Sequence, residues 1–165
     1  MRRMRTMEQQ NTKEYIVTSP EMMNDVVDGV IDHIISNTGR SIIGLSGELG
    51  AGKTTFMRMF LSRVGVSSTA SSPTFVVRKS YPVPAPSNLS ERFSSVSHVD
   101  AYRLEKAEDA VATGIVADAD TEKTLLFVEW PERLGGVLEQ HPAYLGTLRF
   151  EHISETSRRV VLEIK

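Results

Sequence analysis

The chain has 165 residues, the size of one domain, with 40% hydrophobic and 24% charged side chains. A net charge of -2 is not that of a molecule that holds nucleic acid by overall charge, so RNA contact would need a local basic patch or a partner. With no cysteine, disulfides, thiolate metal sites and a cysteine nucleophile are all excluded.

The basic start leads into polar residues rather than the apolar run of a signal peptide, and no stretch approaches a membrane span. Residues 1–14 are therefore expected to be a disordered basic tail ahead of a single domain over 15–165, in a cytoplasmic protein. Tyr15–Val17 predicts a short strand. Ser19 and Pro20 offer an N-cap and an N1 proline to a helix whose apolar residues, from Met22 and Met23 to Ile34 and Ile35, recur at helical spacing until Gly39. Ser41–Ser46 is a compact apolar run, a buried strand. From Lys53, the residues Phe56, Met57, Phe60, Leu61 and Val64 mark one helix face, with Gly65 at the position after the cap.

A polar loop follows, then strands over Phe75–Tyr81 and Val96–Tyr102, separated by a proline-rich excursion at residues 82–91. Residues 105–120 are acidic and alanine-rich and predict a helix with irregular ends. Leu125–Trp130 is a second strongly apolar strand, Pro131 starts a short helix through Gln140, and the C-terminal segment predicts two strands around a polar turn. Mixed strands and helices give an α/β layered fold.

Residues 47–54 read G-E-L-G-A-G-K-T, the phosphate-loop pattern, between a predicted strand and a predicted helix. Its glycines allow backbone N–H groups to curl around an anion, and the following helix aims its N-terminus at the same place. Lys53 can reach the outer phosphates of a nucleoside triphosphate, and the Thr54 hydroxyl can ligate a bridging Mg2+. Such a site also needs a carboxylate at a strand end. Glu129, closing LLFVE, and Asp100, in SVSHVDAYR, are the candidates, each also readable as an exposed strand-end acid or a cap. Ser71–Thr74 suits a γ-phosphate-sensing switch or, on composition, an ordinary turn. The four histidines show no metal-ligand spacing and are read as structural or surface residues.

Four segments in order, SGELGAGKTTF, SSPTF, HVDAYRL and VEWPERL, resemble the TsaE (YjeE) family of small bacterial ATPases. Those proteins take part in making threonylcarbamoyladenosine in tRNA. The resemblance implies a P-loop NTPase-like three-layer sandwich with a mainly parallel central sheet plus antiparallel strands. It implies binding of ATP/ADP with Mg2+, and TsaB and TsaD as partners, with tRNA reached through their complex. Glu48, Leu49, Gly50, Ala51, Gly52, Lys53, Thr54 and Thr55 would wrap the phosphates, and Thr54 and Glu129 would hold the metal. Asp100 would serve hydrolysis, through metal-bound water or by orienting the attacking water. Ser72, Pro73 and Thr74 would form the switch, and Trp130 would lie beside the nucleotide. Met22 and Ser157, in the loop before the first long helix and in the final turn, would help frame the adenine. Val99 and Ala101 depart from the family's usual aromatic and leucine on either side of the aspartate, which bears on packing more than on chemistry. Two other readings stand beside this one: a small-molecule kinase of the same loop class, and a nucleotide-gated assembly module whose hydrolysis is incidental. A kinase would ordinarily carry an arginine-rich lid, whereas Arg78, Arg92, Arg103 and Arg133 are scattered.

Overall fold

The computed structural model describes residues 12–39, 41–67, 78–104, 106, 108–109, 114–121 and 123–165. Strand β1 (Thr12–Val17) leads through a 3-10 turn (Pro20–Met22) into helix α1 (Met23–Ser36). Strand β2 (Ile42–Gly47) and helix α2 (Lys53–Arg63) flank the glycine loop. Strands β3 (Arg78–Pro82), β4 (Ser95–Asp100) and β5 (Thr124–Glu129) follow, with the short helix α3 (Ile115–Ala119) between the last two. A 3-10 turn (Pro131–Leu134) precedes the closing hairpin of β6 (Tyr144–His152) and β7 (Arg158–Ile164).

The seven strands form one sheet in the order β1-β7-β6-β2-β5-β4-β3. The central four, β6, β2, β5 and β4, are parallel, and antiparallel strands complete both edges. Alternation along each strand separates two cores. Ile43, Leu45, Val96, Leu125, Phe127 and Phe150 pack under α1 and α2. Ile42, Val99, Leu126 and Val128 face the other way, against Ile115, Leu134 and Leu138. This is the expected three-layer α/β sandwich. Phe56 and Phe60 of α2 meet Phe127 edge to face, at centroid distances of 6.0 and 4.7 Å, which fixes the helix over β5.

Several boundaries differ from the sequence expectation. Thr12–Glu14, placed in the tail, belong to β1, paired in register with Val161–Glu163. Ser19 makes no side-chain cap; Pro20 opens the 3-10 turn, and α1 begins at Met23. β4 stops at Asp100 because that carboxylate accepts the Tyr102 backbone N–H and turns the chain. The helix expected through Gln140 is only a four-residue turn, ended by Gly135 and Gly136 at φ 60 and 81°. Of the helix expected over 105–120, the described residues show helical backbone at 108–109 and α3. No helix among the described residues is long and apolar enough to cross a membrane.

Candidate functional site

The loop between β2 and α2 is built from glycines with distinct duties. Gly47, the last residue of β2, pairs with Phe150, and a Cβ there would lie 2.5 Å from the Phe150 carbonyl oxygen. This glycine therefore serves the close approach of two strands. Gly50 and Gly52 take positive φ, 75 and 114°, and shape the loop itself. Ala51 is buried and donates its N–H to the Glu48 carbonyl, whereas Glu48 and Leu49 are exposed. α2 starts with no side-chain cap, and Phe56 N–H is the first to close onto Gly52. The N–H groups of Lys53, Thr54 and Thr55 thus precede the helical ladder at the positive end of an eleven-residue helix, an arrangement suited to an anion.

Lys53 is 5% exposed and donates to the carbonyl oxygens of Gly47 (2.5 Å) and Glu48 (2.9 Å). Its ammonium lies 4.3 Å from the centroid of the Trp130 ring. Burial pushes the Lys53 ammonium below the usual lysine range, against a smaller opposite pull from the carboxylates of Glu129, Asp100 and Glu132. Glu129 ends β5 and is itself buried, while Asp100 ends β4 directly beside it in parallel register. Strand order rather than chain order makes these two carboxylates neighbours at the C-terminal edge of the parallel sheet.

Trp130 has φ 59°, the left-handed region, where a bulky side chain costs about 1–3 kcal/mol. Its backbone is held at both ends: its N–H donates to Leu45 O, and its carbonyl accepts from Arg133 N, each at 3.0 Å. Pro131 packs over Gly44, where an added Cβ would lie 2.9 Å from the proline ring. The glycine in β2 thus lets Pro131 settle against the strand and swings the indole toward Lys53. Tyr102 flanks the indole at a centroid distance of 5.2 Å.

These groups share one cleft of about 350 Å³, lined by Leu49, Gly50, Gly52, Lys53, Thr54, Thr55, Asp100, Tyr102, Arg103, Glu129 and Trp130. The Thr54 hydroxyl and the two carboxylates are hard oxygen donors of the kind Mg2+ takes. Among the described residues no group of three or more His, Asp or Glu side chains could hold a metal ion.

Glu48, Ala51, Met22 and Ser157 do not line this cleft. Met22 is exposed at the 3-10 turn before α1, whose Met23 lies 3.6 Å from where a Gly52 Cβ would sit. Ser157 closes the β6–β7 turn through bonds with Ile153 and Ser154. Ser72, Pro73 and Thr74 lie outside the described residues. The arginines do not converge into a lid: Arg78 pairs with Asp118, Arg92 donates to the Ile34 carbonyl, and Arg133 lies over Tyr102. Only Arg103 of the four lines the cleft.

Tyr102 lines the cleft without having been expected there, and His98, read as structural or surface, lies directly behind Glu129. His98 is fully buried, and its Nε2 lies 2.9 Å from Glu129 Oε1. The available signal was the H-x-D spacing in HVDAYRL: alternation puts His98 and Asp100 on one face of β4, the face toward α2.

A parallel strand, a glycine-rich turn, an uncapped helix start and two strand-end carboxylates define the phosphate-loop class of α/β proteins. The family profile described as "Threonylcarbamoyl adenosine biosynthesis protein TsaE" matches residues 17–160, and the chain belongs to this family. Among curated relatives, the tRNA threonylcarbamoyladenosine biosynthesis protein TsaE of Streptomyces coelicolor is 38% identical over 91 residues, 55% of this chain and 57% of that one. The protein of the same name from Haemophilus influenzae is 32% identical over 99 residues, 60% of this chain and 57% of its own. The Mycobacterium bovis protein, again of that name, is 30% identical over 123 residues, covering 72% and 68%. The matched stretch thus spans under two thirds of the first two relatives. The crystal structure of Bacillus subtilis YdiB shares the fold with a TM-score of 0.65 at 19% identity, over 93% of this chain and 85% of that one.

Proposed function

We propose that this protein binds Mg-ATP in the cleft between the glycine loop and Trp130, hydrolyses it, and acts in tRNA threonylcarbamoyladenosine biosynthesis as a nucleotide switch on a TsaB–TsaD complex. The convergence of Lys53, Thr54, Asp100 and Glu129 on one cleft at the start of α2 carries this reading. Family membership supplies the biosynthetic setting.

The roles follow from position. The loop N–H groups and the helix start receive phosphate oxygens. Lys53 exchanges its Gly47 and Glu48 carbonyl partners for the outer phosphates, a gain because negative oxygens offset the hydration its ammonium loses on burial. Thr54 and Glu129 would hold Mg2+, which when bound neutralises charge on the β- and γ-phosphates. Asp100, fixed by its bond from Tyr102 N–H, orients the water that attacks the γ-phosphorus as the bond to ADP breaks. Ser72, Pro73 and Thr74 would pass the nucleotide state to the partners, by analogy with other phosphate-loop switches. With such an output, the setting proposed for the protein is the cytoplasm.

The test is reconstitution with TsaB and TsaD. ATP hydrolysis should rise when the partners are added. Repeated cycles of tRNA modification should need this protein and stop with Lys53→Ala or Glu129→Gln. Modification that cycles equally well without the protein would overturn the biosynthetic role, and hydrolysis unchanged by both substitutions would overturn the assignment of the cleft.

A further inference from the structure

The geometry points to His98 as a positioning residue that sets the orientation of the Glu129 carboxylate toward the metal. The inference rests on the Mg-ATP reading of the cleft. His98 is fully buried and Glu129 is 3% exposed, so neither side chain has water to satisfy it freely. Their one contact, Nε2 to Oε1 at 2.9 Å, is a short hydrogen bond across adjacent parallel strands. With Glu129 ionised, Nε2 carries the proton and donates, which leaves Nδ1 as an acceptor.

That Nδ1 has no hydrogen-bond partner among the described residues, and it is buried. A histidine kept only to fill space would be better replaced by an apolar side chain, since its second nitrogen is a liability in this setting. Among the described residues the imidazole has one polar partner, and that partner lines the cleft. By engaging Oε1 from inside the sheet, His98 restricts rotation of the carboxylate and leaves its other oxygen for the cleft that Glu129 and Thr54 both line. This is the arrangement by which an outer hydrogen bond orients a metal-ligating carboxylate. His98 does not itself line the cleft, so its effect runs through Glu129.

The experiment compares ATP affinity by calorimetry in EDTA and in Mg2+, for the full chain and its His98 variants. In the native protein Mg2+ should tighten ATP binding. His98→Leu keeps volume and removes the donor; it should cut that Mg2+-dependent gain about tenfold while metal-free ATP affinity stays within twofold. His98→Gln, whose amide nitrogen can reach the former Nε2 position, should recover most of the gain, and His98→Asn, one methylene shorter, should not. The Gln and Asn pair decides the matter if His98→Leu fails to fold. Equal Mg2+ gains in the Gln and Asn variants would overturn the positioning role alone. A native protein whose ATP affinity ignores Mg2+ would overturn the metal site and this inference with it.

Discussion

Gly47 and Gly50 sit three residues apart in one motif, yet opposite constraints hold them. A methyl group at Gly47 would run into the backbone of β6, 2.5 Å from the Phe150 oxygen, and φ is 145°. Neither strand can give way without breaking the register that joins β2 to β6. Gly47→Ala should therefore lower stability by about 2–3 kcal/mol, with a lower urea midpoint. At Gly50 an added Cβ meets nothing within 4 Å, and only its φ of 75° resists substitution. Gly50→Ala should cost about 1–2 kcal/mol of stability, less than Gly47→Ala, while ATP affinity falls because the loop N–H groups shift. The two effects separate in one pair of measurements, urea unfolding and ATP titration. A Gly50→Ala protein less stable than Gly47→Ala would contradict the division of duties.

At the scale of elements, α2 carries the site, and its two ends are finished differently. Its start is left open for an anion, and its end is closed by paired bonds from Gly65 N–H to Ser62 O and from Val66 N–H to Leu61 O. These are the two bonds of a Schellman cap, with Gly65 at φ 85°. Gly65→Ala should cost about 1 kcal/mol and speed amide exchange at Val66, with ATP binding nearly unchanged; normal exchange there would show the cap contributes little. The strand, loop and helix around this motif were legible in the sequence because each signal is local: an apolar run, glycines, a 3.6-residue apolar face. Gly65 was legible for the same reason. The pairing of Asp100 with Glu129 was not, because the order of strands in a sheet is set by packing between segments far apart in the chain. His98 and Glu129, 31 residues apart, become partners only once β4 lies beside β5. The left-handed turn at Trp130 was equally hidden, since it depends on Gly44 in a different strand admitting Pro131. Short elements failed for the opposite reason: Pro131 and Glu132 read as a helix start, but the glycine pair after Leu134 ends the turn at once.

For the molecule as a whole, two buried groups tie stability to alkaline pH with opposite signs. Lys53 has a pKa below 10.5 because burial disfavours its charge. Between that depressed value and 10.5 the unfolded chain holds a proton that the native chain has lost, so stability rises with pH and the gain is complete near 10.5. Tyr144, whose hydroxyl bonds to Thr147 Oγ1 beside Gly44, has a pKa pushed up from 10.0 to about 12, chiefly by burial. Above pH 10 the native chain keeps a proton that the unfolded chain releases, so stability falls between pH 10 and 12, by about 2–3 kcal/mol. Urea unfolding from pH 8 to 12 resolves the two, because other titrations cancel when a variant is subtracted from the native protein. The difference from Lys53→Met should grow toward pH 10.5, and the difference from Tyr144→Phe should shrink above pH 10. ATP separates them further. If ATP binds as proposed, phosphate oxygens beside Lys53 would offset the hydration lost on burial and raise its pKa, so saturating ATP should abolish the Lys53-dependent rise. Tyr144 does not line the cleft, and its alkaline fall should persist. A Lys53 contribution that keeps its pH dependence in saturating ATP would place the phosphates elsewhere than at this lysine.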